Sequence, residues 1–165
     1  MSELIMEVDE NNQRIGVRPR EDFYNGKYIH RGAHVILRNS KGEILVQTRP
    51  MNKVRSPGKL SFSAWGTVGD ESYEDCVLRE TKEELGIDIQ LEWFFEFRNN
   101  SLEDNVFHRI FYATSDEPIT IQKEKIDWVQ WVKAQDLKND IEKNPDKYSH
   151  IYRMGMKIYF DQIDT

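Results

Sequence analysis

The run Arg79-Glu80-Thr81-Lys82-Glu83-Glu84-Leu85-Gly86 carries the residues whose types and spacing point most directly to chemistry. At roughly 100° per residue, positions i, i+3 and i+4 share a helix face, so Glu80, Glu83 and Glu84 are expected to project together. Carboxylates gathered in this way repel one another unless a cation sits among them. Hard oxygen donors suit Mg²⁺, with Mn²⁺ as a substitute, and leave positions for water and phosphate oxygens. Arg79 stands beside this face and can fix a carboxylate with a two-pronged hydrogen bond. The plainer reading of such a run is a solvated helix face in which Lys82 pairs with its neighbours. The residues ahead of the helix weigh against that reading.

Gly66-Thr67-Val68-Gly69-Asp70-Glu71 leads directly into the helix. From Trp65 to Ile87 the chain resembles the Nudix box, G-x5-E-x7-R-E-U-x-E-E-x-G-U, where U is a bulky apolar residue. Glu71 falls at the first glutamate, Arg79-Glu80 at R-E, Glu83-Glu84 at E-E, Gly86 at the last glycine and Ile87 at the last apolar position. Two positions depart from the pattern. Trp65 stands at the opening glycine, with Gly66 one place late, and Thr81 takes the first apolar position.

The resemblance implies an α+β fold, an α/β/α sandwich with a mixed central sheet flanked by helices, over one domain. It implies Mg²⁺-dependent hydrolysis of a pyrophosphate bond in a nucleoside diphosphate derivative or related small diphosphate. Glu80, Glu83 and Glu84 would hold the metal, with Gly66 offering a backbone carbonyl. Glu80 would also help to activate water, Arg79 would orient the carboxylates by pairing with Glu71 or Glu83, and Glu71 would play a supporting part. A general base often comes from a later loop in this family, which makes Glu124 the first candidate and Glu103 or Asp104 the second. As a solvated loop carboxylate, each also has an ordinary explanation.

Further residues widen the resemblance. Tyr28 to His34, Lys41 to Arg49, Lys53 and Pro57-Gly58-Lys59 look like the subgroup close to isopentenyl-diphosphate isomerase, and Val8-Asp9-Glu10 to Gly16 looks like its N-terminal hairpin. Isomerisation in that subgroup needs a cysteine before the box and then a metal-binding histidine. Ser61-Phe62-Ser63-Ala64-Trp65-Gly66-Thr67 holds neither. A binding module without activity would be expected to lose a box glutamate, and all four stand.

Arg49, Lys53, Arg55 and Lys59 form a basic cluster ahead of the box, suited to receiving substrate phosphates or simply to solubilising a loop. Phe62, Trp65 and Phe107 are aromatic candidates for stacking, with core packing as the plainer role. His30 and His34 share one face of a strand. Members of the isomerase subgroup use a histidine near this point for a second metal; a polar core role is the plainer reading here. Cys76 reads as a small helix-packing residue rather than a nucleophile.

These residues need a scaffold. Glu7 to Gly16 reads as a short hairpin turning at Asn11-Asn12, within an N-terminal hairpin at about 5–20. His30 to Leu37 and Glu43 to Arg49 read as a second hairpin, Pro50 to Lys59 as a loop, and Leu60 to Val68 as a strand. Ser72 to Leu85 is the clearest helix: Ser72 caps it with Asp75 three places on, and Gly86 stops it, leaving Val77, Leu78, Thr81 and Leu85 for a core. Ile87 to Arg98, Val106 to Thr114 and Trp128 to Val132 read as strands, and Asn99 to Asn105 as a loop. Ala134 to Asn144 and Ser149 to Asp161 read as helices broken by Pro145, the C-terminal helices at about 134–161. Strands mixed with few helices form a layered domain.

At 165 residues the chain can bury a core without staples, and its net charge of −6 argues against coating a nucleic-acid polymer. A small polyanion can still bind where a divalent metal and local cations offset the charge. Cys76 is the lone cysteine, so no intramolecular disulfide forms. No apolar run approaches the roughly 20 residues that span a bilayer, and Met1 to Gln13 lacks a signal-like apolar stretch. The expectation is a cytoplasmic protein, with a homodimer as one possible assembly and no membrane partner.

Overall fold

The computed structural model describes residues 2–163. Its first element is the expected hairpin, β1 (Leu4–Val8) against β2 (Arg14–Pro19). Asp9 shapes the turn: its Oδ1 accepts the N–H groups of Asn11 and Gln13 at 2.8 and 2.9 Å. Asn12 takes φ 59°, a left-handed conformation that asparagine tolerates better than most residues.

The main sheet contains β3 (His30–Arg38), β4 (Glu43–Thr48), β5 (Leu60–Ser61), β6 (Ala64–Thr67), β7 (Trp93–Asn100), β8 (Asn105–Thr114) and β9 (Trp128–Lys133). Along its main path the order is β5-β4-β3-β8-β7, with β6 also pairing β3 and β9 pairing β4. β3 and β8 run parallel from His30 opposite Val106 to Arg38 opposite Thr114, whereas the other pairs in the sheet are antiparallel. The sheet is therefore mixed, as expected.

The anticipated β3–β4 hairpin exists only at its turn, where Arg38 faces Ile44; beyond it β3 pairs with β6 and β8, and β4 with β9 and β5. Ser63 bridges the divergence. Its Oγ accepts the Leu37 N–H at 2.9 Å and donates to the Leu45 carbonyl at 2.6 Å. That hydroxyl explains why the single strand expected over Leu60 to Val68 is broken into β5 and β6. The strand expected to begin at Ile87 starts only at Trp93, and the turn between β7 and β8 narrows to 101–104.

Side-chain alternation divides the interior into two cores. Val35, Leu37, Leu45, Phe111 and Ala113 face α1 (Tyr73–Leu85), where Cys76, Val77 and Leu85 are buried. Ile36, Ile44, Val46 and Ile110 face the other way, against α2 (Ala134–Lys143) and α3 (His150–Ile163), with Leu137, Tyr152, Met156 and Tyr159. Helices thus cover both faces of the sheet, the expected α/β/α sandwich. α1 begins where Ser72 Oγ accepts the Asp75 N–H at 3.0 Å and ends at Gly86, φ 72°, whose N–H reaches the Lys82 carbonyl. Leu78, expected in the core, is 37% exposed; Thr81, weakly apolar by type, is fully buried by returning its hydroxyl to the Val77 carbonyl. Among the described residues no helix is long and apolar enough to cross a membrane.

Candidate active site

α1 lies against β6, and the Glu80 side chain meets the strand at Gly66. A Cβ at Gly66 would lie 2.5 Å from Glu80 Cγ and 2.9 Å from its Oε1. The absence of a side chain there lets the Glu80 carboxylate rest over the strand. The box glycine displaced by one place is therefore the one in contact with the helix. Trp65 instead aligns across β3 with His34 and leaves its ring for the Arg49 guanidinium, 5.1 Å from the ring centre.

The four box glutamates differ sharply in environment. Arg79 donates to Glu71 at 2.7 and 3.3 Å and to Glu80 at 2.9 Å, and lies 3.5 Å from Glu83. These contacts raise its already high basicity, the hydrogen bond to Glu71 most of all. Glu84 is buried and accepts a 3.0 Å hydrogen bond from Gln47 Nε2. Burial, and then hydrogen bonding with Glu80, holds the Glu84 carboxyl well above the usual carboxylate range. Glu83 faces solvent, and the ammonium of Lys125 holds its carboxyl below that range. Lys125 Nζ lies 2.9 Å from Glu83 and 3.3 Å from Glu80.

This arrangement modifies the expected convergence. Among the described residues, no three His, Cys, Asp or Glu side chains are arranged to surround a metal ion. Each box carboxylate has a guanidinium, ammonium or amide partner, which offsets the repulsion among them. The donor set nevertheless suits a hard divalent cation: Glu84 is a buried acid pressed against a second acid, and both sit on the helix face shared with Glu83.

Two adjoining cavities meet at this face. One, of about 560 Å³, is lined by Gln47, Arg49, Lys53, Arg55, Arg79, Glu80, Glu84 and Lys125. The other, of about 580 Å³, is of mixed character, its lining including Phe62, Val106 and Ile151, the histidines His30, His34 and His108, and the polar groups of Arg20, Asn99, Glu103 and Asp104. Arg49, Arg55, Trp65, Gly66 and Thr67 border both.

Three of the four basic residues singled out in sequence thus reach the carboxylate cavity. Lys59 does not: its ammonium meets the Asp146 carbonyl, and it borders a separate groove with Met51 and Trp128. Glu124 is exposed and borders neither cavity. Hydrogen bonds from the Lys125 and Ile126 N–H groups to the Gln122 carbonyl, with Ile126 buried, carry its neighbour Lys125 to the carboxylates instead. Glu103 and Asp104 border the second cavity, where Asp104 pairs with Arg55. Phe62 and Trp65 line cavity walls, but Phe107 packs beside the N-terminal hairpin core and beneath Arg98.

Sequence reasoning missed Gln47, Lys125 and His108. Gln47 shares the inward face of β4 with Leu45, so an amide among core residues was the available signal. His108 lies on β8 and comes within 2.9 Å of His34, His34 Nε2 to His108 Nδ1. Gly32 between them leaves room for both rings, since a Cβ there would lie 3.0 Å from one and 3.2 Å from the other. Burial holds His34 at about 3 and His108 well below its ordinary value, so both are neutral near pH 7.

A family model for the NUDIX domain matches residues 28–154. The chain belongs to the Nudix family. This Nudix hydrolase is 34% identical over 161 residues to a prenyl-diphosphate phosphatase of Methanosarcina mazei, covering 94% of this chain and 95% of that one. It is 26% identical over 156 residues to isopentenyl-diphosphate Delta-isomerase 2 of Aromatoleum aromaticum, covering 90% of this chain and 82% of the relative. Its fold is similar to the crystal structure of DR0079 from Deinococcus radiodurans, with a TM-score of 0.80 at 21% identity over 94% of this chain and 98% of that one. Cys76 is fully buried, and burial, followed by the charges of Glu71 and Glu80, pushes its thiol far up. It supplies no thiolate.

Proposed function

We propose that this Nudix hydrolase cleaves the phosphoanhydride bond of a small prenyl-type diphosphate with Mg²⁺ held by Glu80, Glu83 and Glu84. The observation that carries the reading is the pair of adjoining cavities. One offers carboxylates and Arg49, Lys53 and Arg55; the other has an apolar wall of Val54, Phe62, Val106 and Ile151 facing a polar rim that includes Arg20, Asn99, Glu103 and Asp104. A diphosphate head matches the first cavity, and a short apolar body has the Val54, Phe62, Val106 and Ile151 wall of the second to lie against. The name of the Methanosarcina mazei relative points to the same substrate class.

When bound, a divalent cation polarises the phosphoryl group and offsets charge on the leaving phosphate. Arg49 and Arg55, at the border of both cavities, orient the phosphate oxygens by paired N–H donors. Lys53 adds a point charge at the outer edge. Glu80, over Gly66, accepts a proton from the attacking water, while Arg79 braced on Glu71 keeps that carboxylate in place. The water oxygen bonds to phosphorus, and the bridging oxygen leaves with its phosphate. The segment Ser61–Thr67 presents no thiol, so the proton transfers of a double-bond shift lack that acid-base group here.

A panel of isopentenyl, geranyl and farnesyl diphosphates, ADP-ribose and nucleoside diphosphates, with Mg²⁺ and with Mn²⁺, tests the reading by phosphate release. Prenyl diphosphates are expected to turn over with the highest kcat/KM. Preference for a nucleotide would return the assignment to a nucleoside diphosphate derivative, with Trp65 as its stacking surface.

A further inference from the structure

Lys125 stands in the catalytic face without matching any position of the box. Its ammonium bridges Glu83 and Glu80 at 2.9 and 3.3 Å, the carboxylates assigned above to the divalent cation. Its backbone is fixed on both sides. Gln122 N–H donates to the Glu84 carbonyl and Asp127 N–H to the Thr48 carbonyl, each at 3.0 Å, and Ile126 is buried between them. The ammonium therefore moves only as far as its own four-carbon stem allows. Its side chain is 37% exposed and borders the same cavity as Arg49 and Lys53.

The two cations on these carboxylates are unlike. Arg79 grips Glu71 with two contacts and belongs to the helix itself. Lys125 comes from another segment and holds its partners by a rotatable point charge, a contact easily exchanged. A divalent cation bound to Glu80 and Glu83 would repel the ammonium and take the lone pairs it uses. The released ammonium borders the cavity that, with Arg49, Lys53 and Arg55 in its lining, would receive the substrate diphosphate.

We propose that Lys125 is an exchangeable counter-ion: it holds Glu80 and Glu83 before metal binds, and on metal binding transfers to an oxygen of the substrate diphosphate. The inference rests on the metal assignment given under the proposed function. It makes metal loading and diphosphate binding mutually supporting, because the ammonium displaced by one becomes a ligand for the other.

The test uses direct binding of Mn²⁺ alone, by calorimetry or electron paramagnetic resonance, to wild type, Lys125→Met and a Lys123→Met control. Removing a competing cation should tighten Mn²⁺ binding by roughly three- to tenfold, the scale of one partly screened ionic contact, while the control matches wild type. Methylenediphosphonate at saturating Mn²⁺ should bind Lys125→Met several-fold more weakly than wild type. Unchanged or weaker Mn²⁺ binding by Lys125→Met would make the lysine a fixed clamp and overturn the proposal, as would undiminished methylenediphosphonate affinity. If Glu84→Gln binds Mn²⁺ as well as wild type, the metal assignment falls and the exchange falls with it. If the binding arms behave as expected but no prenyl diphosphate is hydrolysed, the substrate reading fails and the exchange stands.

Discussion

Gln47 on β4 donates a 3.0 Å hydrogen bond to Glu84 on α1, tying the sheet to the helix that carries the carboxylates. The same amide nitrogen reaches the Ser63 carbonyl at 3.0 Å, so one side chain fixes a buried acid and the break between β5 and β6.

Replacing it tests that link. Gln47→Leu strips Glu84 of its amide donor and leaves the Ser63 carbonyl without this donor in the core. The expected loss is about 1–3 kcal/mol of stability, the cost of buried polar groups left unpaired. Urea unfolding of wild type and variant measures it. A difference within error would mean that Glu84 finds another donor.

Gly66 should tolerate no side chain. The methyl group of Gly66→Ala would lie 2.5 Å from Glu80 Cγ, forcing the carboxylate off the strand. Because the collision is with a catalytic side chain rather than a core residue, kcat should fall on the order of a hundredfold, as expected for a misplaced catalytic group, while the far-ultraviolet circular dichroism spectrum is retained. Wild-type kcat would show that Glu80 can act from another rotamer.

Three desolvated histidines, His34 and His108 buried and His30 half-buried, set a pH dependence of stability. Desolvation lowers His30 to about 4 and His34 to about 3, and His108 also lies well below its ordinary value. A histidine held neutral in the fold binds its proton first in the unfolded chain. Its contribution is complete above the ordinary value near 6.5 and is lost as pH falls through the window down to the folded value. Each histidine should cost up to about 2 kcal/mol between pH 7 and pH 5. Glu84, with its carboxyl held high, opposes this by gaining a proton in the folded state. Asp104, its carboxyl raised by burial, acts in the same direction, and three histidines against these two acids predict a net fall. Chemical denaturation across this range checks it, and a flat or rising profile contradicts the assignment.

The sequence was most informative where the chemistry is local. Ser72, Asp75, Gly86 and the spacing of the box glutamates lie within a few residues of one another, so α1, its ends and its carboxylate face could be read directly. Contacts made by the sheet were not legible in the same way. β3 lies parallel to β8, more than 70 positions on, and this register alone brings His108 to His34. Glu124 and Lys125 are adjacent charged residues, and no pattern in the chain distinguishes them. The turn at Gln122 and the burial of Ile126 decide which reaches the carboxylates. Lys59 was grouped with Arg49 by proximity in sequence, but the loop, with Gly58 at φ 71°, turns it toward Asp146.

The central claim is that the carboxylate face of α1 holds a divalent cation for hydrolysis. Its most direct measurement is Mg²⁺-dependent phosphate release from a prenyl diphosphate by wild type, Glu83→Gln and Glu84→Gln, with folding followed by circular dichroism. Both substitutions keep the side-chain shape and remove the charge. The account predicts that kcat falls at least about a hundredfold in each variant, the scale of losing one strong electrostatic contact to the transition state, with the fold intact. Unchanged turnover in both would contradict it.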